Sequence, residues 1–194
     1  MIQNLAMAEK KLSAIEFTVL GIAWKRGPCT TYAIMKELAS STSTYYKSRA
    51  GTAYPIVTRL FREGLLAYEE SKVIRGDRLV LVTPAGEGEL RQWLADPIGL
   101  EEVSHTMDFV RLRVFYLGAS SPEEREAVLD NALSSLKRHL DECTIAAAEY
   151  ARIGDVFSVL ATEGVMFETR ARIEWIHEIR SRAIGAAQGK PAKD

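Results

Sequence analysis

The sequence predicts a mainly α-helical protein in two parts, with short helices and one β-hairpin in the first part and long helices in the second. Apolar residues recur at helical spacing over most of the 194 residues. Residues 65–73 and 79–83 instead look extended, and in the second segment Leu79, Leu81 and Thr83 alternate with Val80 and Val82 as strand side chains do. The composition, 47% hydrophobic and 26% charged, is typical of a globular protein and not of a disordered one.

The net charge of −1 hides a difference between the two halves. Residues 1–95 carry a net charge of +4 and residues 96–194 a net charge of −5, which favours an anionic partner for the first half only. Two cysteines, Cys29 and Cys143, are too few for a disulfide framework or a zinc site. The chain has no apolar run approaching the ~20 residues of a membrane span and no secretion signal. We therefore expect a cytoplasmic protein with no membrane partner.

Three helices are predicted before the hairpin. The first runs from about Ser13 to Lys25 and is stopped by Gly27-Pro28. The second is capped by Thr30 or Thr31 and ends in a polar run at residues 40–44. The third begins near residues 48–51 and ends at Gly64. We expect its buried side to carry Ala53, Val57, Leu60 and Phe61.

The hairpin is followed by a fourth helix. Predicted strands at residues 65–73 and 79–83 are joined by a tight connector at residues 74–78. Thr83-Pro84 then starts a helix that Asp96-Pro97 closes. This order of elements is the outline of a winged helix-turn-helix with a two-stranded wing. The sequence therefore predicts a DNA-binding domain over residues 1–96.

The outward side of the third helix is the candidate DNA-reading surface, because a major groove admits one helix and arginines suit phosphates and a narrow minor groove. The candidate DNA-binding residues are Lys47, Arg49, Thr52, Tyr54, Thr58, Arg59, Arg62 and, at the wing, Arg75 and Arg78. Simpler interpretations stay open: Tyr54 at the edge of the core, Arg59 and Arg62 paired with nearby acids, and Arg75 and Arg78 merely solvated.

Residues 97–184 are predicted to form a helical dimerisation and effector domain, followed by a mobile tail at residues 185–194. Ser121-Pro122 with Glu124 is a strong helix start. Apolar residues then follow steps of four and three up to Ala147, which is a heptad seam that suits a helix partner. A last helix is expected over about residues 155–184, and packing within the chain remains an alternative to dimerisation. The candidate dimerisation residues are Leu129, Leu133, Leu136, Leu140, Ile173 and Ile176.

The segment from Gly51 to Leu66, with its Tyr54-Pro55 start and its Glu63-Gly64-Leu65 close, resembles the recognition-helix signature of PadR-type transcriptional regulators. Residues 109–113, 121–124 and 174–176 are similar to the C-terminal dimerisation region of the larger members of that family. The resemblance implies a homodimeric regulator, more often a repressor, on a nearly palindromic stretch of double-stranded DNA. It also implies a cavity for a small aromatic effector, for which Trp93, Phe109 and Trp175 are candidates.

Two other classes of function are alternatives to DNA binding. A winged helix can also dock a protein instead of DNA, and an exposed Phe61 would favour that alternative. An enzyme finds little support, because the sequence holds no nucleophile elbow, phosphate-binding loop or Cys-x-x-Cys. His105, His139 and His177 are scattered and form no metal signature. We expect no catalytic residues, no metal and no cofactor.

Overall fold

The computed structural model describes residues 11–70, 78–104 and 108–186, and it divides into two compact units, Met1–Ile98 and Gly99–Asp194. The first unit contains α1 (Ala14–Arg26), α2 (Thr31–Ser40), α3 (Thr44–Ser48), α4 (Ala53–Arg62), β1 (Leu66–Glu70), β2 (Arg78–Val82) and α5 (Pro84–Ala95). The second contains α6 (Leu100–Ser104), α7 (Phe109–Phe115), α8 (Pro122–Arg152) and α9 (Val156–Gly185). Short 3-10 turns at Ala50–Thr52 and Leu117–Ala119 precede α4 and α8.

Side-chain caps start three helices of the first unit. The Glu16 carboxylate accepts hydrogen bonds from the Ser13 backbone N–H at 2.8 Å and from the Ser13 hydroxyl at 2.7 Å, which secures the start of α1. Thr30 accepts from the Ala33 N–H at 3.1 Å at the start of α2. Thr83 accepts from the N–H of Gly86 at 3.1 Å at the start of α5. The predicted starts of these helices agree with the structure to within a residue or two.

The region before α4 differs from the prediction. The polar run continues into an additional short helix, α3, and the third predicted helix becomes α4, which begins at Ala53 and not at residues 48–51. The late start places Pro55 in the first turn of α4, where its missing N–H has no intrahelical partner to lose. The helix could not extend much further upstream without placing Pro55 in its interior.

The wing is an antiparallel pair in which Leu66 faces Val82 and Tyr68 faces Val80. Cys29, between α1 and α2, adds a bridge on the other side: its N–H donates to the Val80 carbonyl at 3.0 Å, and its carbonyl accepts from the Val80 N–H at 2.7 Å. The Cys29 side chain is buried in the core, and this burial raises the pKa of its thiol. The predicted connector at residues 74–78 lies outside the described residues except for its last member.

The helices of the first unit surround one apolar core, to which every helix except α3 contributes a buried residue. Its most buried members, each under 2% exposed, are Val19, Leu20, Ala23, Ile34, Ala53, Val57, Leu60 and Val80. The prediction that Phe61 is buried is wrong: its side chain is 45% exposed, and Ile56 lies in the core in its place. Helical geometry explains the correction, because Phe61 follows Leu60 by 100° and falls outside the stripe that Ala53, Val57 and Leu60 share.

The second unit is a long helical hairpin with α7 packed against it. Gly154, at a φ of 76°, forms the turn between α8 and α9, and a left-handed backbone there favours glycine. Arg125 near the start of α8 donates to the carbonyl of Ala183 near the end of α9 at 3.1 Å, so the two helices run antiparallel. Asp108 caps α7 and forms an ion pair with Arg172 of α9. No helix among the described residues is long and apolar enough to cross a membrane.

Candidate nucleic-acid interface

Helix α4 has one buried and one open side. Ala53, Ile56, Val57 and Leu60 are 9% exposed or less. On the other side Tyr54 is 50% exposed, and Thr52, Thr58 and Arg62 are also exposed. Half of the Tyr54 surface is exposed, so this side chain does not belong to the buried core. A helix with this division can lie in a groove without losing its core contacts.

The segment just before α4 carries two cations. Lys47 is exposed at the end of α3. The Arg49 guanidinium lies 3.8 Å from the centre of the Tyr45 ring, and its Nη1 donates to the Tyr45 carbonyl at 3.2 Å. A cation held over an aromatic face in this way loses less rotamer freedom on binding a phosphate. The Thr52 hydroxyl is used locally, donating to the Arg49 carbonyl at 2.7 Å.

The wing contributes one described cation. Arg75 lies outside the described residues, and its predicted DNA contact stays a prediction. Arg78 is exposed at the start of β2, with its guanidinium 5.9 Å from the centre of the Tyr68 ring. Tyr68 in turn packs against Phe61 of α4, with ring centres 4.7 Å apart. This exposed aromatic pair joins the wing to α4. No local sequence pattern indicates the contact, because the two residues meet only in the folded chain.

Arg59 differs from the other candidate cations, because it is turned toward the protein. Its Nη1 donates to the Glu16 carboxylate of α1, and its Nε donates to Glu63 at 2.8 Å. The hydrogen bond from Arg59 to Glu63, with further help from Glu16, raises the pKa of the arginine. The simpler interpretation of Arg59, an ion pair with nearby acids, therefore describes its geometry. Glu16 was missed as a partner, although its capping-box position three residues after Ser13 is visible in the sequence.

The electrostatic balance of this surface is positive. In residues 44–63 there are four cationic side chains and one acidic one, Glu63. Glu63 is bound to Arg59, so it neutralises the cation that is already turned inward. Lys47, Arg49 and Arg62 form no ion pair among the residues that the structure describes. Positive charge without local compensation attracts a polyanion.

The three candidate effector residues line three separate cavities. Trp93 stacks on Phe17 with ring centres 4.6 Å apart, beside a cavity of about 520 Å³ in the first unit. Trp175 lines a cavity of about 340 Å³ in the second unit, together with Arg125 and Arg182. Phe109 is 65% exposed at the edge of a third cavity of about 200 Å³. Their assignment to an effector stays a prediction.

The candidate dimerisation residues have a partner inside the chain. Leu129, Leu133, Leu136 and Ile176 are 6% exposed or less and form the core between α8 and α9. Leu140 and Ile173 are half-buried. A second copy could contact the first four only if the hairpin opened. The large exposed apolar residues of α9 offer more surface for a second copy, and these are Val156, Phe157, Leu160, Val165 and Phe167.

The described residues contain no group of three or more His, Cys, Asp or Glu side chains placed to hold a metal ion. His105 lies outside them. On α8, the His139 Nε2 atom lies 3.7 Å from the Sγ atom of the buried Cys143, one helical turn later.

The fold defines a winged helix-turn-helix protein with a two-stranded wing and long C-terminal helices, which confirms the predicted fold class. The family follows from the sequence: residues 19–92 match the model of the transcriptional regulator PadR-like family, and the winged-helix unit of this chain is a member of it. The predicted resemblance is thereby confirmed. No curated protein matches the chain.

Solved structures share the fold of both units. PadR of Bacillus subtilis in complex with operator DNA is similar with a TM-score of 0.73 at 17% identity, over 88% of this chain and 99% of that one. The same regulator in complex with p-coumaric acid gives 0.70 at 16% identity, over 89% and 96%. The PadR-like regulator BC1756 of Bacillus cereus gives 0.70 at 14% identity, over 87% and 96%.

Proposed function

We propose that this protein is a transcriptional regulator that binds double-stranded DNA as a homodimer, with α4 in the major groove and the wing beside it. The observation that carries the proposal is the open side of α4, where Tyr54, Thr58 and Arg62 are exposed while the opposite side forms the core. The uncompensated charges of Lys47 and Arg49 lie at the start of this surface. The similar Bacillus subtilis PadR was solved on operator DNA, which supports the same class of partner here.

The residues divide into two roles. Arg49, Lys47 and Arg78 are long cations that would contact phosphates and set affinity, since phosphate contacts position a protein without reading sequence. Tyr54, Thr58 and Arg62 stand on the helix itself, and they would reach base edges or the adjacent phosphates. Arg75 at the wing belongs to the proposal on sequence grounds alone. Repression is the expected sign of regulation.

A second copy of the chain is part of the proposal, because two recognition helices about 34 Å apart address successive major grooves of a palindromic site. Phe157, Leu160 and Phe167 follow one another at helical spacing on α9 and are each more than half exposed. Apolar side chains of this size on one helix face favour an interface. We therefore assign the dimer contact to this face of α9, with Leu140 and Ile173 as further candidates.

A small aromatic acid is the proposed effector. Trp175, Arg125 and Arg182 all line the 340 Å³ cavity of the second unit, so an aromatic ring and cationic side chains border the same space. The structure of Bacillus subtilis PadR with p-coumaric acid supports this ligand class. An effector would release DNA only if it bound the free and the DNA-bound conformations with different affinity. Addition of p-coumarate to a binding assay with DNA tests this, and unchanged DNA affinity at saturating ligand would contradict it.

The alternative function is docking of a protein on the same surface, and the exposed Phe61–Tyr68 pair is the observation in its favour. The deciding experiment is a gel-shift titration with fragments from upstream of the protein's own gene, compared with random duplex at two salt concentrations. We expect a specific shift that weakens steeply with salt. No preference for any upstream fragment over random duplex would contradict operator binding and would leave docking as the better hypothesis.

A further inference from the structure

The geometry points to Arg59 as a positioning residue that sets the orientation of recognition helix α4 through Glu16 of α1 and does not itself contact DNA. The inference rests on the proposed DNA-binding function and assigns Arg59 a role different from that of the other cations on α4. It makes Glu16, a residue of the core side, a determinant of sequence specificity.

Each of the three nitrogens of the Arg59 guanidinium is either bound to a carboxylate or buried. Nη1 donates to the Glu16 carboxylate, and Nε donates to Glu63 at 2.8 Å. Nη2 is buried and has no hydrogen-bond partner among the described residues. An arginine contacts a phosphate or a base through these N–H groups. In this conformation Glu16 and Glu63 already occupy two of these nitrogens and the third is buried, so Arg59 is poorly placed to contact DNA.

The Glu16 carboxylate, which accepts the hydrogen bond from Arg59, is itself fixed in position. Glu16 is 7% exposed, and its second carboxylate oxygen accepts from both the backbone N–H and the hydroxyl of Ser13. The carboxylate therefore belongs to the capping box of α1, whose position is set by backbone atoms. A continuous series of polar contacts runs from the start of α1 through Glu16 and Arg59 to the end of α4.

Apolar packing alone does not fix α4 to the same degree. Val57 and Leu60 contact the core through non-directional contacts, which tolerate a small rotation or slide of the helix. Charge-assisted hydrogen bonds have directional geometry, and the two from Arg59 act at one position on the helix. Thr58 precedes Arg59 and Arg62 lies one turn later, so a rotation here displaces both from their base edges. Flexible phosphate contacts adjust to such a displacement, whereas base contacts do not.

The test compares the full-length wild type with Arg59→Met, Glu16→Gln and the double variant. Methionine keeps an apolar stem of similar length, and glutamine can still close the capping box. Each protein is titrated with the upstream duplex that the wild type binds best and with a random duplex of equal length, at several salt concentrations. Arg62→Met is the matched control, because Arg62 is an exposed arginine on the same helix.

We expect each single variant to lower the preference for the upstream duplex over random duplex by about tenfold. The double variant should lose no more than either single one, since the same contact is removed in each. The slope of log affinity against log salt should stay unchanged for Arg59→Met and Glu16→Gln. It should flatten by about one unit for Arg62→Met if that residue contacts a phosphate.

Two results of the DNA titrations overturn the inference. One is a flatter salt slope in Arg59→Met, which would make Arg59 a phosphate contact. The other is an unchanged or higher affinity in Glu16→Gln, which would mean that Glu16 merely withholds a DNA-binding cation. Amide hydrogen exchange of α4 in the DNA-free protein is a further readout, and we expect faster exchange in both single variants. If the wild type binds no duplex, the proposed function fails, while unchanged exchange in α4 would separately overturn the positioning role.

Discussion

Gly86 of α5 lies directly against the carbonyl oxygen of Leu65: a Cβ at Gly86 would stand 2.2 Å from that oxygen and 2.9 Å from a methyl carbon of Val82. The same carbonyl accepts a hydrogen bond from the Thr83 N–H at 3.1 Å, so it is not free to move away. Helix α5 is thus docked on the backbone that leads into the wing, at a distance that only glycine permits.

We predict that Gly86→Ala lowers the free energy of unfolding by about 1–3 kcal/mol, the usual cost of an added methyl group where there is no space. Gly88→Ala, two residues later in the same helix, is the matched control, because a Cβ there meets no atom within 4 Å. Alanine in that open helical position should raise stability by about 0.5–1 kcal/mol. Urea unfolding measures both, and equal effects of the two substitutions would contradict the close contact.

We predict that Tyr54→Phe weakens binding to the upstream duplex by about 3- to 10-fold, the effect of one lost hydrogen bond, and leaves stability unchanged. The hydroxyl is the only group removed, and the exposed ring keeps its place on α4. Tyr116→Phe, at a tyrosine that is 70% exposed in the second unit, should leave binding unchanged. Fluorescence anisotropy measures the affinities. Equal affinity of Tyr54→Phe and wild type would remove this residue from the interface.

Asp108 makes the stability of the second unit depend on pH. Burial by itself raises the pKa of the Asp108 carboxyl, but hydrogen bonds from the Arg111 N–H and from Arg172 outweigh it and leave the pKa below its ordinary value. The carboxylate therefore stabilises the folded state above the ordinary aspartate pKa of 3.8. This contribution is lost as the pH falls through the lower pKa of the folded state.

We predict that Asp108→Asn lowers the free energy of unfolding by about 1–2 kcal/mol at pH 7, because Arg172 loses its carboxylate partner while asparagine still caps α7. The difference from wild type should shrink as the pH falls below the ordinary aspartate pKa of 3.8. Asp141→Asn, at an exposed aspartate of α8, should have no effect at either pH. Urea unfolding across this pH range is the measurement. A pH-independent difference would contradict the contribution from the charge.

The two kinds of apolar residue in the hairpin should respond differently to substitution. Leu133 is 6% exposed between α8 and α9, so Leu133→Ala should lower the free energy of unfolding by about 2–5 kcal/mol.

Phe157→Ser combined with Phe167→Ser removes exposed rings and should leave the fold intact while the dimer dissociates. Unfolding curves and light scattering after size exclusion separate the two effects. A monomeric wild type, or a double variant that stays dimeric, would contradict the proposed interface on α9.

Much of the fold could be predicted from local sequence signals. Ser13, Thr30, Thr83 and Ser121 predict helix starts because capping depends on residues within three positions. The alternation of side chains at residues 79–83 predicts a strand because a strand places successive side chains on opposite faces, which is again a local property of the sequence. The prediction that Phe61 is buried is wrong because the side chain lies 100° further around the helix than Leu60, outside the stripe of Ala53, Val57 and Leu60. The heptad seam of α8 indicated a helix partner correctly, but period alone does not say whether that partner is α9 or a second chain.

The sequence by itself determined most of the order of elements, the Ala53, Val57 and Leu60 stripe on the buried side of α4, and the family of the winged-helix unit, since each depends on residue type at fixed spacing. The tertiary structure alone decided which cations face outward. Arg59 and Arg62 are the same residue type on one helix, yet Arg59 meets Glu16 from 43 positions earlier in the chain while Arg62 remains open. The cost of burying a carboxylate such as Glu16 without a cation settles that difference, and it arises only when distant segments pack together.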